Sequence, residues 1–451
     1  MAANPFSAVP YEIAAHILSF VPRSDLPTVC LVNKSLCGCA EPILYSDISL
    51  EWSHRQKNPP ITPLLQKLFR RPELFNCVGV VSLTGDDFVG SNPSPPVTAT
   101  ESAVVELERI IKSFDAPFTD VWVKKLREGS MDAFAALLIA PLSKIRRLTI
   151  TDNYIQWLDL IGKVLRLKAI GQHLPRFERL KLIVYFHGLD RYTPTLPHRV
   201  DEVMALLSVP TVTHLAAHIG GTEIFHWPAG EPDLSCLTSL DLEGCYAAFM
   251  SKMLALTRNL KSLSWRWEYV PETGDPWMNN YLDLDAIISA VLHVRETLEK
   301  LRFRITLGNY FLGGRPAMDV SGSFDGLINL RRLTELDVPF ACLTGFGIKP
   351  QPLDRHVPRS VETLSLSTGM LWHDTVLWAL GDRRPNDWDV AQQLREFVKR
   401  IPTRLPHLHL VKIIDDIGGF RNGKLDEILA KHPLREDIEI VHDFPPLWRL
   451  L

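Results

Sequence analysis

The chain has 451 residues, 46% hydrophobic and 22% charged, a balance that excludes a disordered or fibrous chain and suits a folded core. Its 49 Lys and Arg against 52 Asp and Glu leave a net charge of -3, so no global basic field draws it to nucleic acid or an anionic membrane. The seven cysteines show neither paired spacing nor a CxxC couple, and are expected to be reduced, mostly buried thiols.

The first residues lack a basic region followed by an uninterrupted apolar run, and no later stretch approaches the roughly 20 apolar residues that span a bilayer. A cytoplasmic and/or nuclear protein without membrane contact is expected. Pro10 suits a first helical turn, and Ile13, Ile17, Leu18 and Val21 recur at helical spacing until Pro22. Ser24 is expected to cap a second helix that carries Leu26, Val29 and Cys30. Asn33 is expected to cap a third, with Leu36, Cys39, Ala40, Ile43 and Leu44, which Pro42 should bend or end. Helices this short must pack on the following domain, a partner or both.

The order Val9-Pro10-Tyr11-Glu12-Ile13, Ile17-Leu18, Asp25-Leu26 and Cys30-Leu31-Val32-Asn33-Lys34, with the tail Ala40-Glu41-Pro42-Ile43-Leu44-Tyr45, resembles the F-box family, its fungal members in particular. It departs from the pattern at Val9, where Leu is usual, and at Leu36, where many members carry an aromatic residue. The resemblance covers about a tenth of the chain. It implies a three-helix unit at residues 1–48 that binds a Skp-type adaptor through Pro10, Ile13, Ile17, Leu18 and Leu26, and through it a cullin scaffold and a RING subunit.

Beyond residue 48, after a short strand expected at Asp47-Ile48-Ser49-Leu50, one phrase repeats: apolar residues at relative positions 0, 3, 6 and 8. It is seen in Leu142-Ile145-Leu148-Ile150, Leu174-Phe177-Leu180-Leu182, Leu234-Leu237-Leu240-Leu242 and Leu330-Leu333-Leu336-Val338. Looser copies are Val78-Val81-Leu83, Val209-Val212-Leu215, Leu260-Leu263-Trp265, Leu298-Leu301-Phe303, Val361-Leu364-Leu366 and Leu405-Leu408-Val411-Ile413. A four-position template matches by chance on the order of five times in this length, so the count alone decides little. The stronger signal is that most copies follow a helical apolar stretch, as residues 131–140 precede Leu142. The phrase is similar to the kernel of a leucine-rich repeat, in which a turn feeds a short strand whose alternate side chains enter the core. The expected fold is therefore α/β: a three-helix F-box, then a curved leucine-rich-repeat-like solenoid with a parallel sheet over residues 49–451. Leu148, Leu180, Leu240, Leu263, Leu301, Leu336 and Leu364 are expected at equivalent inward positions. Proline- and glycine-rich stretches at 91–100, 188–198, 271–280, 308–323, 345–358 and 381–389 are expected loops, and the apolar residues 444–451 are expected to cap the last repeat.

No GxSxG, HExxH, Walker A or GxGxxG sequence occurs, and no catalytic residue, metal or cofactor is expected. Residues 308–314 lack the Lys-Ser/Thr of a P-loop, and residues 319–325 lack the glycine and terminal Glu of an EF-hand. His407 and His409 would share a strand face as a metal pair without an evident third ligand, and Trp372-His373-Asp374 sets a His beside a carboxylate without a nucleophile.

The same register places Arg147, Thr149, Arg179, Lys181, Asp241, Glu243, Arg266, Lys300, Arg302, Arg304, Glu335, Asp337, Thr363, Ser365 and Ser367 on the polar sheet face. Arg266, Lys300, Arg302 and Arg304 should converge there, a candidate site for an acidic or phosphorylated segment of a protein substrate; the alternative is a mosaic surface in which they pair with Asp241, Glu243, Glu335 and Asp337 and hold nothing. Together these readings imply a non-catalytic substrate-recognition subunit of an SCF-type cullin-RING ubiquitin ligase, whose contribution is proximity. The alternative is a leucine-rich-repeat interaction scaffold without ligase association. An enzyme or nucleic-acid binder would instead show a deep pocket with perturbed acids or bases, or a continuous basic stripe.

Overall fold

The computed structural model describes residues 9–53, 59–86, 96–151, 154–155, 158–186, 204–219, 231–269, 281–306, 318–346, 351–368, 370, 387–414 and 439–443. Most of the expected loops, Trp372-His373-Asp374 and the apolar residues 444–451 lie outside the described residues. The fold is α/β and built on parallel sheet. The chain divides into two compact units, residues 1–193 with 201–212, and residues 194–200 with 213–451. The expected boundary at residue 48 falls within the first unit.

In the first unit three helices, α1 (Tyr11–Leu18), α2 (Leu26–Val32) and α3 (Lys34–Leu44), lead into parallel strands β1 (Asp47–Ser53), β2 (Val80–Asp86), β3 (Arg147–Thr151) and β4 (Leu182–Phe186), in that spatial order. Helices α4 (Ile61–Arg70), α5 (Glu101–Ser113), α6 (Thr119–Arg127), α7 (Met131–Ile139) and α8 (Asp159–Ile170) connect them. Every residue of α7 is buried, as a helix apolar on all sides must be. Its one acid, Asp132, caps α8 by accepting from Leu160 N at 2.6 Å and Ile161 N at 3.1 Å, so two orphan donors of that helix find a carboxylate. Lys168 on α8 is fully buried, and its Nζ donates to the carbonyls of Ala140 and Pro175, both at 2.8 Å, while lying 4.4 Å from the Phe177 ring centre.

The second unit carries parallel strands β5 (His214–His218), β6 (Ser239–Glu243), β7 (Ser262–Glu268), β9 (Lys300–Thr306), β11 (Glu335–Pro339), β12 (Thr363–Ser367), β13 (Leu410–Ile414) and β14 (Glu439–Asp443), again in spatial order. A separate two-stranded parallel ladder pairs β8 (Tyr281–Asp283) with β10 (Asp319–Ser321). Leu215, Leu240, Leu263, Leu301, Leu336, Leu364 and Val411 form one inward row, each directly opposite the next. All are at most 3% exposed, so the kernel leucines make one core column. A recurrent hydrogen-bond pattern starts the strands. The carbonyl of the residue before one strand accepts two N–H groups from the next, as Lys261 O does from Glu299 N at 2.8 Å and Lys300 N at 2.9 Å. Thr238, Glu299 and Thr334 repeat this in the second unit, and Ser46, Gly79 and Arg146 in the first.

One kernel copy departs from expectation. Leu148 lies opposite Val81 and Ile183, so Leu180 precedes β4 and the inward residues there are Ile183 and Tyr185. Arg179 and Lys181 consequently leave the polar face, where Leu182 and Val184 stand opposite Arg147 and Thr149. The segment Leu182-Ile183-Val184-Tyr185-Phe186 is apolar at every position, so alternation gives no register. The phrase Phe177-Leu180-Ile183-Tyr185 fits it as well as Leu174-Phe177-Leu180-Leu182.

Candidate functional site

The three-helix head is shaped by its caps and two prolines. Ile13 N and Ala14 N donate to Pro10 O, which starts α1 with proline in extended conformation just before it. Asn33 Oδ1 accepts from Leu36 N at 2.8 Å and opens α3. At α2 the cap position belongs to Asp25, while the expected cap, Ser24, donates its hydroxyl to the Asp25 carboxylate at 3.1 Å. Pro42 stands in the last turn of α3, which ends two residues later at Leu44.

The head closes on a small core of Ala14, Leu18, Leu26, Cys39 and Ala40, with Val9, Val21, Val29, Leu36 and Ile43 around it. It is tied to the rest of its unit by charge. Arg71 donates to both oxygens of the largely buried Glu41 carboxylate at 2.5 and 2.6 Å, and this bond holds the guanidinium pKa above its ordinary value. Arg23 reaches Leu44 O at 2.7 Å and the Asp47 carboxylate at 3.2 Å, which fixes the passage from α3 to β1.

The five residues marked for adaptor contact separate into two groups. Leu18 and Leu26 belong to the head's own core and are unavailable to a partner. Pro10, Ile13 and Ile17 are exposed, and Ile13 and Ile17, 52% and 46% exposed, lie one turn apart on one face of α1. Four more large apolar side chains of the head stand in solvent: Tyr11, Phe20, Leu31 and Val32, with Phe20 at 77% and Leu31 at 87%. Among the described residues the head thus holds six of eleven exposed large apolar side chains, a concentration that ordinary surface scatter does not produce. The sequence carried a signal for part of this. Cys30-Leu31-Val32 places three apolar residues in a row on a short helix, and at about 100° per residue such a run spans more than one face.

On the polar face of the second unit the structure does bring Arg266, Lys300, Arg302 and Arg304 together, with Arg266 directly opposite Arg304 and Ser264 opposite Arg302. Each is matched by an acid. Lys300 meets Glu335 at 2.6 Å, Arg302 Nε and an Arg304 terminal nitrogen share Asp337 Oδ2 at 3.0 and 2.9 Å, and Arg266 meets Glu243 at 3.0 Å and Asp241 at 3.9 Å. Four cations face four carboxylates, so the unneutralised charge that would call for an anionic partner is absent from this cluster. The acidic columns of β6 and β11 flank the basic residues of β7 and β9, so the described strands form no continuous basic stripe.

His407 and His409 precede β13 rather than sharing its face, and His409 Nδ1 lies 3.3 Å from the His407 carbonyl. Among the described residues no group of three His, Cys, Asp or Glu is placed to hold a metal, and no helix is long and apolar enough to cross a membrane. All seven cysteines are free; burial pushes the thiol pKa of Cys39, Cys245 and Cys342 up. Compared with known proteins, the sequence matches no family model and no curated protein.

Proposed function

We propose that the chain is a substrate-recognition subunit of an SCF-type cullin-RING ubiquitin ligase. In this reading α1–α3 are an F-box that docks a Skp-type adaptor, and the repeated strands form a leucine-rich-repeat-like solenoid that holds a protein substrate. The observation that carries it is the exposed apolar surface of the head: Ile13 and Ile17 on one face of α1, with Tyr11, Phe20, Leu31 and Val32 also in solvent. A head whose own core is already closed by Leu18 and Leu26 has no internal use for these side chains. Burying a large aliphatic side chain contributes about 1.5–3 kcal/mol, so a few of them suffice to anchor a partner. The ordered kernel rows support the repeat reading of the remainder.

Co-expression with a Skp-type adaptor, followed by purification through a tag on this chain, tests the proposal. The expected result is a stoichiometric complex that Ile17→Asp abolishes. A wild-type chain that purifies without adaptor would favour the interaction scaffold without ligase association.

A further inference from the structure

An open cleft of about 490 Å³ crosses the starts of β6, β7, β9 and β11 in the second unit. Its lining follows the repeat. Cys236, Asn259, Thr297 and Arg332 each precede a kernel leucine (Leu237, Leu260, Leu298, Leu333), and Thr238, Lys261 and Glu299 each follow one. At two positions of this row the polar side chain is tied to the turn of the preceding repeat: Ser360 Oγ donates to Leu333 O at 2.7 Å, and Asn259 Nδ2 to Ser235 O at 2.8 Å, while Thr297 Oγ1 donates within its own turn to Val294 O at 3.4 Å. Arg332, an exposed residue of the same row, makes no such tie among the described residues. Lys261 is paired with Glu299 at 3.1 Å, whereas Arg332 has no acidic partner among the described residues, so the cleft carries one uncompensated cation.

We propose that this cleft binds an extended peptide segment with a carboxylate side chain facing Arg332. Three interstrand steps of about 4.8 Å give the cleft a run of roughly 14 Å, the length of about four extended residues. The hydroxyl oxygens of Thr238 and Thr297, whose protons go to Thr213 O and Val294 O, and the amide oxygen of Asn259 offer acceptors to the N–H groups of an extended backbone. A small molecule would stay largely in water in so open a cleft, whereas bound small ligands bury most of their surface. The planar guanidinium of Arg332 fits a carboxylate through two parallel hydrogen bonds, which Lys261, a point charge already paired, does not offer. The site is independent of adaptor binding by the head, and its failure leaves that reading untouched.

The test uses the full chain and two labelled hexapeptides, one alternating glutamate and serine, the other with glutamine for each glutamate. Fluorescence anisotropy should show the glutamate peptide binding at least about tenfold more tightly. Arg332→Glu should remove that preference, while Arg331→Glu, an exposed neighbour outside the cleft lining, should keep it. Cys236 is the one exposed cysteine of the seven and reports occupancy in the unaltered chain. Saturating glutamate peptide should slow its alkylation by iodoacetamide several-fold, read by mass spectrometry. Equal affinity for the two peptides, equal behaviour of the two variants, or an unchanged alkylation rate at saturation overturns the proposal.

Discussion

Ile183 lies directly opposite Leu148 in the parallel ladder of β3 and β4. The inward column of the first unit therefore runs through Ile183 and Tyr185, both 1% exposed, and Leu182 stands on the opposite face. Ile183→Ala should cost about 2–5 kcal/mol, because it removes three buried carbons and leaves a cavity. Leu182→Ala, from a half-buried position, should cost less than about 1.5 kcal/mol. Urea denaturation of the two variants measures the difference, and equal costs would overturn the register.

That register also shows where sequence reading works and where it stops. In the second unit each kernel leucine from Leu240 to Leu364 is flanked by polar residues, as in Ser239-Leu240-Asp241 and Thr363-Leu364-Ser365, so only one face can be buried and the row follows from alternation. At β4 the flanking residues are themselves apolar, and the same rule has nothing to decide between. The head divides in a similar way. Its helices and the Asn33 cap were legible from spacing, but helical periodicity marks Leu18, Leu26 and Ile17 alike as apolar. Only the closure of the core separates the buried pair from the exposed residue. Charge pairing was legible through the same alternation: Asp337 lies 33 to 35 residues from the arginines it serves, but the shared register sets it on the adjacent strand, as it sets Glu335 beside Lys300 and Asp241 and Glu243 beside Arg266.

Ile13→Asp and Ile17→Asp should each abolish adaptor binding while leaving the thermal unfolding of the chain within a few degrees of wild type, because both sites are already about half in water. An ionised carboxylate in a desolvated apolar contact costs several kcal/mol, far more than it costs on the free surface. Leu26→Asp acts differently: with its side chain fully buried in the head, it should unfold α1–α3 and lose adaptor binding through that route. Circular dichroism and protease sensitivity of the head separate the two causes. Binding that survives in both isoleucine variants would move the contact off α1.

Asp337 accepts from two arginines through one oxygen and is mostly buried, while its neighbour pair Lys300–Glu335 is about half exposed on both sides. Asp337→Ala leaves Arg302 and Arg304 side by side without their shared anion and should destabilise the second unit by about 1–3 kcal/mol. Glu335→Ala should cost less than about 1 kcal/mol, as exposed pairs do. Chemical denaturation at low and high salt checks this, with the Asp337→Ala penalty shrinking as added salt screens the arginine repulsion. A penalty at Glu335 as large as that at Asp337 would show that the pairing does not set the energetics of this face.

Lys168 couples the stability of the first unit to pH. Burial pulls its amine down to about 7, against an ordinary lysine near 10.4 in the unfolded chain. Between these values the unfolded chain holds a proton that the folded chain has released, so the slope of unfolding free energy with pH is positive. The stability associated with this group is fully present above about pH 10.4, declines as pH falls, and is lost once pH passes below about 7. The amine is nevertheless useful where it sits, since either protonation state can donate to the carbonyls of Ala140 and Pro175, which would otherwise be left without this donor. Lys168→Met keeps much of the volume and removes the titration. The difference in unfolding free energy between wild type and variant should therefore change by up to about 1.4 kcal/mol per pH unit between pH 7.5 and 9.5, with wild type gaining as pH rises. Urea denaturation at four pH values across that window measures it. A pH-independent difference would mean that Lys168 stays charged in the fold, held by the two carbonyls and the Phe177 ring against the cost of burial.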